Sequence, residues 1–295
     1  MFVQTNSVQS IREYFKSRLE NMFSDNEIKI IGNEVICQRL KLSPSDLIGL
    51  NDQLLSESDL LFFRSVVKRL LNNEPFQYIV GNAHFYGLEL ISDKRALIPR
   101  PETEELVEWV KEVYVNNNKG LTIVDFCTGS GCIALALKSV FSDSKIYATD
   151  ISSEALQLAK ENAAKTGLDI EFRQFSALDE VDYEQKANFQ LESFDCWVSN
   201  PPYIPEEEKK LMAENVLEFE PHLALFVPDE KALVFYDKIA QMAIKYLKSN
   251  GNLFFEIHEN LANETKVLLE KIGFQNIEIR KDLQGKDRMI KAVKK

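Results

Sequence analysis

The chain has 295 residues, 45% hydrophobic and 27% charged, with a formal net charge of −11 at pH 7. That length builds one large domain or two with a real core, and the composition excludes a disordered or disulfide-dense chain. The acidic balance argues against a general nucleic-acid binder, which carries a basic face. No apolar run reaches the ~18 residues of a membrane span, and the N-terminal segment lacks the apolar core of a secretion signal. A cytoplasmic protein is expected. Cys37, Cys127, Cys132 and Cys196 form no CxxC pair and no metal-type spacing with His84, His222 and His258. Free thiols and no metal site are expected.

Residues 1–75 carry helical periodicity. Val8, Ile11, Tyr14, Phe15 and Leu19 recur at spacings of three and four. Residues 33–40 read as a second helix, broken at Ser43-Pro44-Ser45. Ser56-Glu57-Ser58-Asp59 reads as an N-terminal cap before the apolar pattern of residues 60–71. From 76 to 100, aromatic and branched residues alternate around Gly81 and Gly87, which predicts a β-hairpin linker. Past Ile98-Pro99-Arg100-Pro101, Thr103 or a neighbour is placed to cap a helix over 104–115, whose early glutamates suit a helix N-terminus.

From residue 121 strand and helix alternate. Strands are predicted at 121–126, 145–149, 169–174, 194–199 and 252–257. Helices are predicted at 132–140, from a Ser152 or Ser153 cap to Lys165 with Gly167 as its stop, at 229–248 with Asn250-Gly251 as its stop, and at 260–272. A strand pair at 274–281 and 288–293 follows. Successive βα units imply a mostly parallel sheet covered on both faces, and the last pair implies an antiparallel edge. Residues 179–192 are a polar insert that carries no further signal.

Gly129-Ser130-Gly131-Cys132-Ile133-Ala134 fits GxGxxG/A between a strand and a helix, and Asp150 lies 19 residues beyond Gly131 at the next strand end. Glycines let backbone approach a ligand, and a helix N-terminus favours negative charge. A carboxylate at the next strand end accepts hydrogen bonds from a ribose diol. By itself this fits a nicotinamide dehydrogenase as well as an S-adenosylmethionine enzyme. Position favours the latter, because about 120 residues precede a fingerprint that usually opens a dehydrogenase.

Ser199-Asn200-Pro201-Pro202-Tyr203-Ile204 follows the apolar strand 194–198. Each proline fixes its own φ, and Pro202 holds Pro201 extended. In a doubly wound sheet the first and fourth strands of the alternation are neighbours, so Asn200 faces the glycine turn across one crevice. A nucleoside cofactor on one side and a planar amide or base on the other converge on methyl transfer to a planar nitrogen. The Asn200 side-chain oxygen and the Pro201 carbonyl each accept one N–H of such a group, and Tyr203 offers an aromatic face. No strong base is needed, because the methylated nitrogen becomes very acidic, so none of the three histidines is assigned a catalytic role.

Taken together, the chain resembles the release-factor glutamine N5-methyltransferases, the HemK/PrmC family. The segments that carry the resemblance are Gln77-Tyr78-Ile79-Val80-Gly81, Phe85-Tyr86-Gly87, Leu97-Ile98-Pro99-Arg100-Pro101-Glu102-Thr103-Glu104, Thr128 to Ala134, Ser199 to Ile204, Glu220-Pro221-His222-Leu223-Ala224-Leu225, and Lys281-Asp282-Leu283 with Gly285-Lys286-Asp287-Arg288. The resemblance implies an α/β class I S-adenosylmethionine-dependent methyltransferase with a Rossmann-like seven-stranded sheet. It implies a helical substrate-recognition domain over 1–75, a hairpin linker over 76–100 and a methyltransferase domain over 101–295. It implies methylation of the glutamine in the GGQ loop of bacterial class 1 release factors, with no membrane and no direct nucleic-acid contact. Cys127, Thr128, Gly129, Ser130, Gly131 and Asp150 would hold the cofactor, Ala177 would lie beside it, and Asn200 would touch both ligands. Asn200, Pro201, Pro202 and Tyr203 would hold the glutamine.

Two positions depart from the family pattern. Cys127 stands where glycine is usual, and Phe175-Ser176-Ala177 stands where an acidic residue usually meets the adenine, which predicts weaker cofactor affinity. Three alternatives remain at this stage: a glutamine methyltransferase acting on a ribosomal protein, an adenine-N6 methyltransferase on nucleic acid, and a non-enzymatic cofactor-binding assembly module. A base-flipping adenine enzyme needs a basic groove, which the charge disfavours.

Overall fold

In the computed structural model, residues 6–116, 120–178 and 193–295 are described, so the polar insert at 179–192 lies outside them. The chain divides into two units, Met1–Gly81 with Glu214–Phe219, and Asn82–Ala213 with Glu220–Lys295.

The first unit is helical. The helix Val8–Leu19 is capped by Ser7, and its buried Val8, Ile11, Phe15 and Leu19 form one stripe. The second helix runs over Asp25–Leu40 and so begins well before residue 33. The Ser24 side chain and Glu27 close a capping box that starts it. Ser56 and Asp59 form the same device at the head of Glu57–Leu71, as the sequence predicts. A further five-residue helix, Phe76–Val80, ends at left-handed Gly81. The aromatic residues there are therefore helical and not part of a hairpin. The hairpin itself is shorter, with β1 at Asn82–Phe85 and β2 at Leu88–Ile91. Tyr86 (φ 49°) and Gly87 (φ 77°) turn it with two residues in the left-handed region, the backbone of a two-residue I′ turn.

The second unit is built on seven strands: β3 (Thr122–Phe126), β4 (Lys145–Asp150), β5 (Glu171–Gln174), β6 (Phe194–Ser199), β9 (Leu247–Glu256), β10 (Phe274–Lys281) and β11 (Asp287–Lys294). Their order is β10-β11-β9-β6-β3-β4-β5. The pairs β3–β4, β4–β5, β3–β6 and β6–β9 are parallel, and β11 runs antiparallel to both β9 and β10. Both faces are covered, so the central strands read as mostly apolar runs. Ile123, Cys196, Val198 and Phe254 pack to one side with Leu106, Trp109 and Ile133. Val124, Phe126, Trp197, Leu253 and Phe255 pack to the other with Tyr236, Ile239 and Leu269. The alternation along each strand is the period-two geometry of a pleated sheet. Between β6 and β9, the short strands β7 (Ile204–Pro205) and β8 (Phe226–Val227) pair in parallel.

Around β9, two boundaries differ from the sequence reading. The helix predicted over 229–248 is confined to Val234–Tyr246, preceded by a 3-10 turn at Asp229–Lys231. Strand β9 starts at Leu247, because the Asn250-Gly251 pair is an irregularity inside the strand and not a helix stop. Pairing steps from Phe194↔Leu247 to Cys196↔Asn252, so β9 carries three extra residues there. Asn250 takes them through a left-handed φ of 65°. No helix among the described residues is long and apolar enough to cross a membrane.

Candidate active site

Strands β3 and β6 are adjacent and parallel, so the turns after them open at the same end of the sheet. Ser199 Oγ donates to the Phe126 carbonyl at 2.6 Å and fastens the two strand ends together. This is the switch point where α/β sheets bind ligands.

The turn after β3 is shaped by a buried carboxylate. Asp125 Oδ2 accepts from Thr128 Oγ1 at 2.6 Å and from Ala134 N at 3.3 Å, while Oδ1 has no hydrogen-bond partner. With no cation beside it, burial pushes the Asp125 carboxyl up to about 7. The Thr128 amide donates to Thr149 O at 2.9 Å, so the turn also leans on β4. Cys127, Gly129 and Gly131 all take positive φ, at 58°, 55° and 83°. Cys127 therefore adopts the conformation that a glycine there would adopt, with a strain of about 1–2 kcal/mol for a side chain in that region. Burial pushes the Cys127 thiol well up and that of Cys132 up to about 12, so neither is a thiolate near neutral pH.

Gly131 is required for a second reason. A Cβ there would stand 3.1 Å from Ala159 Cβ on the helix Ser153–Thr166. Gly131→Ala adds left-handed strain of about 1–2 kcal/mol to crowding of about 1–3 kcal/mol. We expect urea unfolding to show a loss of about 2–5 kcal/mol. A loss of only about 1–2 kcal/mol would mean that the helix gives way freely and the strain alone remains.

Asp150 ends β4 facing the turn. Its Oδ2 accepts from Gly129 N and its Oδ1 from Ser152 N, each at 2.9 Å. Burial raises its pKa, and these backbone donors oppose the rise. Each oxygen keeps a lone pair for a further donor.

One cleft of about 1120 Å³, open mouth included, runs across the switch point. Of the residues singled out from the sequence, Cys127, Thr128, Gly129, Ser130, Asp150, Ala177, Asn200 and Pro202 line it. Gly131, Pro201 and Tyr203 are not among its lining residues. Gly131 acts instead as the N-cap of the helix Cys132–Val140. The Tyr203 hydroxyl donates to Glu256 Oε1 at 3.0 Å, and its ring meets His258 edge-on at 6.0 Å. Tyr203 is thus turned toward the end of β9.

Sequence reasoning missed the residues that hold Asn200. Thr103, read as a helix cap, is not one: the helix runs over Pro101–Tyr114, Arg100 is its N-cap residue and no side chain caps it. Proline at the first helical position explains the earlier start, since the missing N–H there has no partner to lose. Thr103 is buried, accepts from Asn200 Nδ2 at 3.2 Å and donates to Glu256 Oε2 at 2.7 Å. Glu256 is 2% exposed. Burial pushes its carboxyl up, against the two hydroxyls and the charge of Arg288. The signal in the sequence was a carboxylate closing the apolar run Leu253-Phe254-Phe255. On the other wall, buried Glu220 accepts from Ile98 N at 3.1 Å and from Arg100, which fixes the rim segment 96–100.

The cleft suits a nucleoside bearing a zwitterionic amino-acid tail. Ser130 Oγ is buried without a hydrogen-bond partner, with only the Cys132 thiol as a weak neighbour. The Asp150 carboxylate fits a diol, and Ile151, Phe175, Ala177 and Leu178 make an apolar slot beside it. No carboxylate occupies the slot at 175–177, where only Ser176 is polar.

A family model described as a methyltransferase domain matches residues 117–287, and one described as a PrmC N-terminal domain matches residues 11–81. The release factor glutamine methyltransferase of Flavobacterium psychrophilum is 41% identical over 97% of this chain and 98% of its own length. The protein of the same description from Bacteroides thetaiotaomicron is 36% identical over 96% of this chain and 98% of its own. A solved methyltransferase from Pyrococcus furiosus shares the fold, at a TM-score of 0.51 and 17% identity, covering 77% of this chain and 96% of that one. Identity at this level over nearly the whole length, on a sheet whose switch point carries both motifs, means that the chain belongs to the release factor glutamine methyltransferase family, with S-adenosylmethionine as methyl donor.

Proposed function

We propose that this chain methylates N5 of the glutamine in the GGQ loop of bacterial class 1 release factors, in the cytoplasm and without binding nucleic acid directly. The observation that carries the reading is that one cleft is lined by Asn200 together with the glycine turn and Asp150. Residues 1–75 are assigned recognition of the release factor, 76–100 the link, and 101–295 the chemistry.

The bound cofactor supplies an electrophilic sulfonium methyl group. An amide nitrogen is a poor nucleophile because its lone pair is delocalised, so the residues of this chain must hold it in line. Asn200 Nδ2 is committed to Thr103, which leaves Oδ1 as the acceptor for one N–H of the glutamine. The Pro201 carbonyl, next in the chain to Asn200 though outside the lining of the cleft, is assigned the other. Two fixed acceptors orient the NH2 group and favour a pyramidal nitrogen, a preorganised electrostatic contribution. Pro202 stiffens the loop. No general base is needed, since the methylated nitrogen loses its proton readily. Ser130 and Asp150 bind, and the apolar slot excludes water.

Incubation with radiolabelled S-adenosylmethionine and a purified class 1 release factor tests the assignment. Label is expected in the wild-type factor and not when the GGQ glutamine is replaced by alanine. Equal label in both would end the glutamine reading. Label in a ribosomal protein alone would redirect it to that substrate.

A further inference from the structure

We propose that Glu256 is a positioning residue that sets which end of the Asn200 amide faces the cleft; this rests on the acceptor role given to Asn200 above. The argument is one of hydrogen-bond polarity. Thr103 has a single hydroxyl proton, and it goes to Glu256 Oε2 at 2.7 Å. Only lone pairs of Thr103 Oγ1 then face Asn200, so Asn200 must present a donor, and Nδ2 does so at 3.2 Å. With one hydroxyl donating to each of its oxygens, the carboxylate accepts on both sides, which holds this direction of the chain and keeps Oδ1 away from Thr103.

The same carboxylate receives the Tyr203 hydroxyl at 3.0 Å on its other oxygen. Arg288 lies beside that hydroxyl, and its positive charge acts on the carboxylate without contacting it. Arg288 is itself held by buried Asp282, whose Oδ2 accepts from Arg288 Nε at 3.1 Å. Four separated parts of the chain thus meet around Glu256: the helix Pro101–Tyr114, the 200–203 loop, the end of β9 and the start of β11. None of these contacts touches the glycine turn, so the network orients the acceptor side of the cleft and leaves the cofactor side alone.

Glu256→Gln tests the polarity directly. An amide has one accepting end. Arg288 beside Tyr203 favours oxygen on that side, which turns the NH2 toward Thr103. Thr103 then accepts from it, sends its proton to Asn200, and draws Oδ1 out of the cleft. The expected result is a fall in kcat of about 10- to 100-fold, as for a misplaced reacting group. KM for the release factor should change less than kcat, because a single hydrogen bond to one side chain is displaced, and calorimetric cofactor affinity should stay within about twofold, because the cofactor side is unaltered. Thr103→Val, of nearly equal shape, should show the same pattern, and Thr103→Ser should recover most of what is lost. The double variant E256Q/T103V should be no slower than T103V, since both cut one chain.

Full turnover in E256Q and T103V, or losses that multiply in the double variant, would overturn the proposal. So would a weakening of cofactor affinity that accounts for the lost rate. Wild-type enzyme run alongside separates the two layers. Label in wild type with E256Q unimpaired sinks the relay alone, whereas no label in wild type sinks the glutamine assignment and the relay with it.

Discussion

Replacing Asn200 by alanine is expected to reduce turnover by about 10²- to 10³-fold, the usual loss when one preorganised acceptor or donor is removed from a reacting centre. Cofactor affinity measured by calorimetry should change little. The reason is geometric. Asn200 stands at the end of β6 and bonds to Thr103 at 3.2 Å, while the polar atoms of the cofactor side, Ser130 Oγ and the Asp150 carboxylate, come from β3 and β4. Removing the amide leaves the glycine turn intact, because Asp125, Thr128 and Ser199 shape it without Asn200. Loss of cofactor binding in the variant would show that Asn200 serves chiefly as a cofactor ligand and would reverse its assigned role.

The second large effect concerns pH and Asp125. Its carboxyl titrates at about 7 in the folded protein, against about 3.9 in an unfolded chain. The folded state therefore keeps a proton that the unfolded state has already lost between those values. Stability falls as pH rises through that window and levels off above about 7. At about 1.36 kcal/mol per pH unit, a window of about three units corresponds to about 4 kcal/mol. Asp125→Asn keeps one oxygen to accept from Thr128 Oγ1 and Ala134 N but cannot ionise. Urea unfolding from pH 4 to pH 8 should show the variant gaining on wild type by an amount of that order, on top of a pH-independent offset for its buried NH2. Asp150 and Glu256 also have raised values, and the comparison cancels them because both proteins carry them. A pH-independent difference would mean that Asp125 is ionised and compensated throughout.

Most of the methyltransferase sheet was legible because its signals are local. The runs 121–126 and 194–199 are mostly apolar, glycines sit at the turns, and Ser152 and Gly167 punctuate one helix. The same holds for the cleft: eight of the residues singled out line it, since a strand end and the next few residues decide that placement. What escaped was non-local. Thr103 bonds to Glu256 across 153 residues and Tyr203 to Glu256 across 53. Spacing read Thr103 as a cap because threonine near a helix start usually is one, and only the packed structure shows its hydroxyl turned inward. Asn250-Gly251 was read as a stop because an irregularity inside a strand uses the same left-handed residues as a helix terminus. Residues 76–80 show that aromatic and branched residues do not choose a strand when a left-handed glycine closes a helical turn behind them.

The placement of β11 bears on how this protein is made. It lies between β9 and β10 although it follows both in sequence. During synthesis, β10 emerges with no sheet neighbour, and one side of β9 stays unpaired until residues 287–294 arrive. That side carries the apolar Leu253, Phe254 and Phe255, whose partners are Ala292, Lys291 and Ile290. A nascent or truncated chain lacking the last segment presents an open, apolar strand edge, the template for association with other chains. Arg288 arrives on that same segment, so the strand that closes the edge also delivers the guanidinium beside Tyr203.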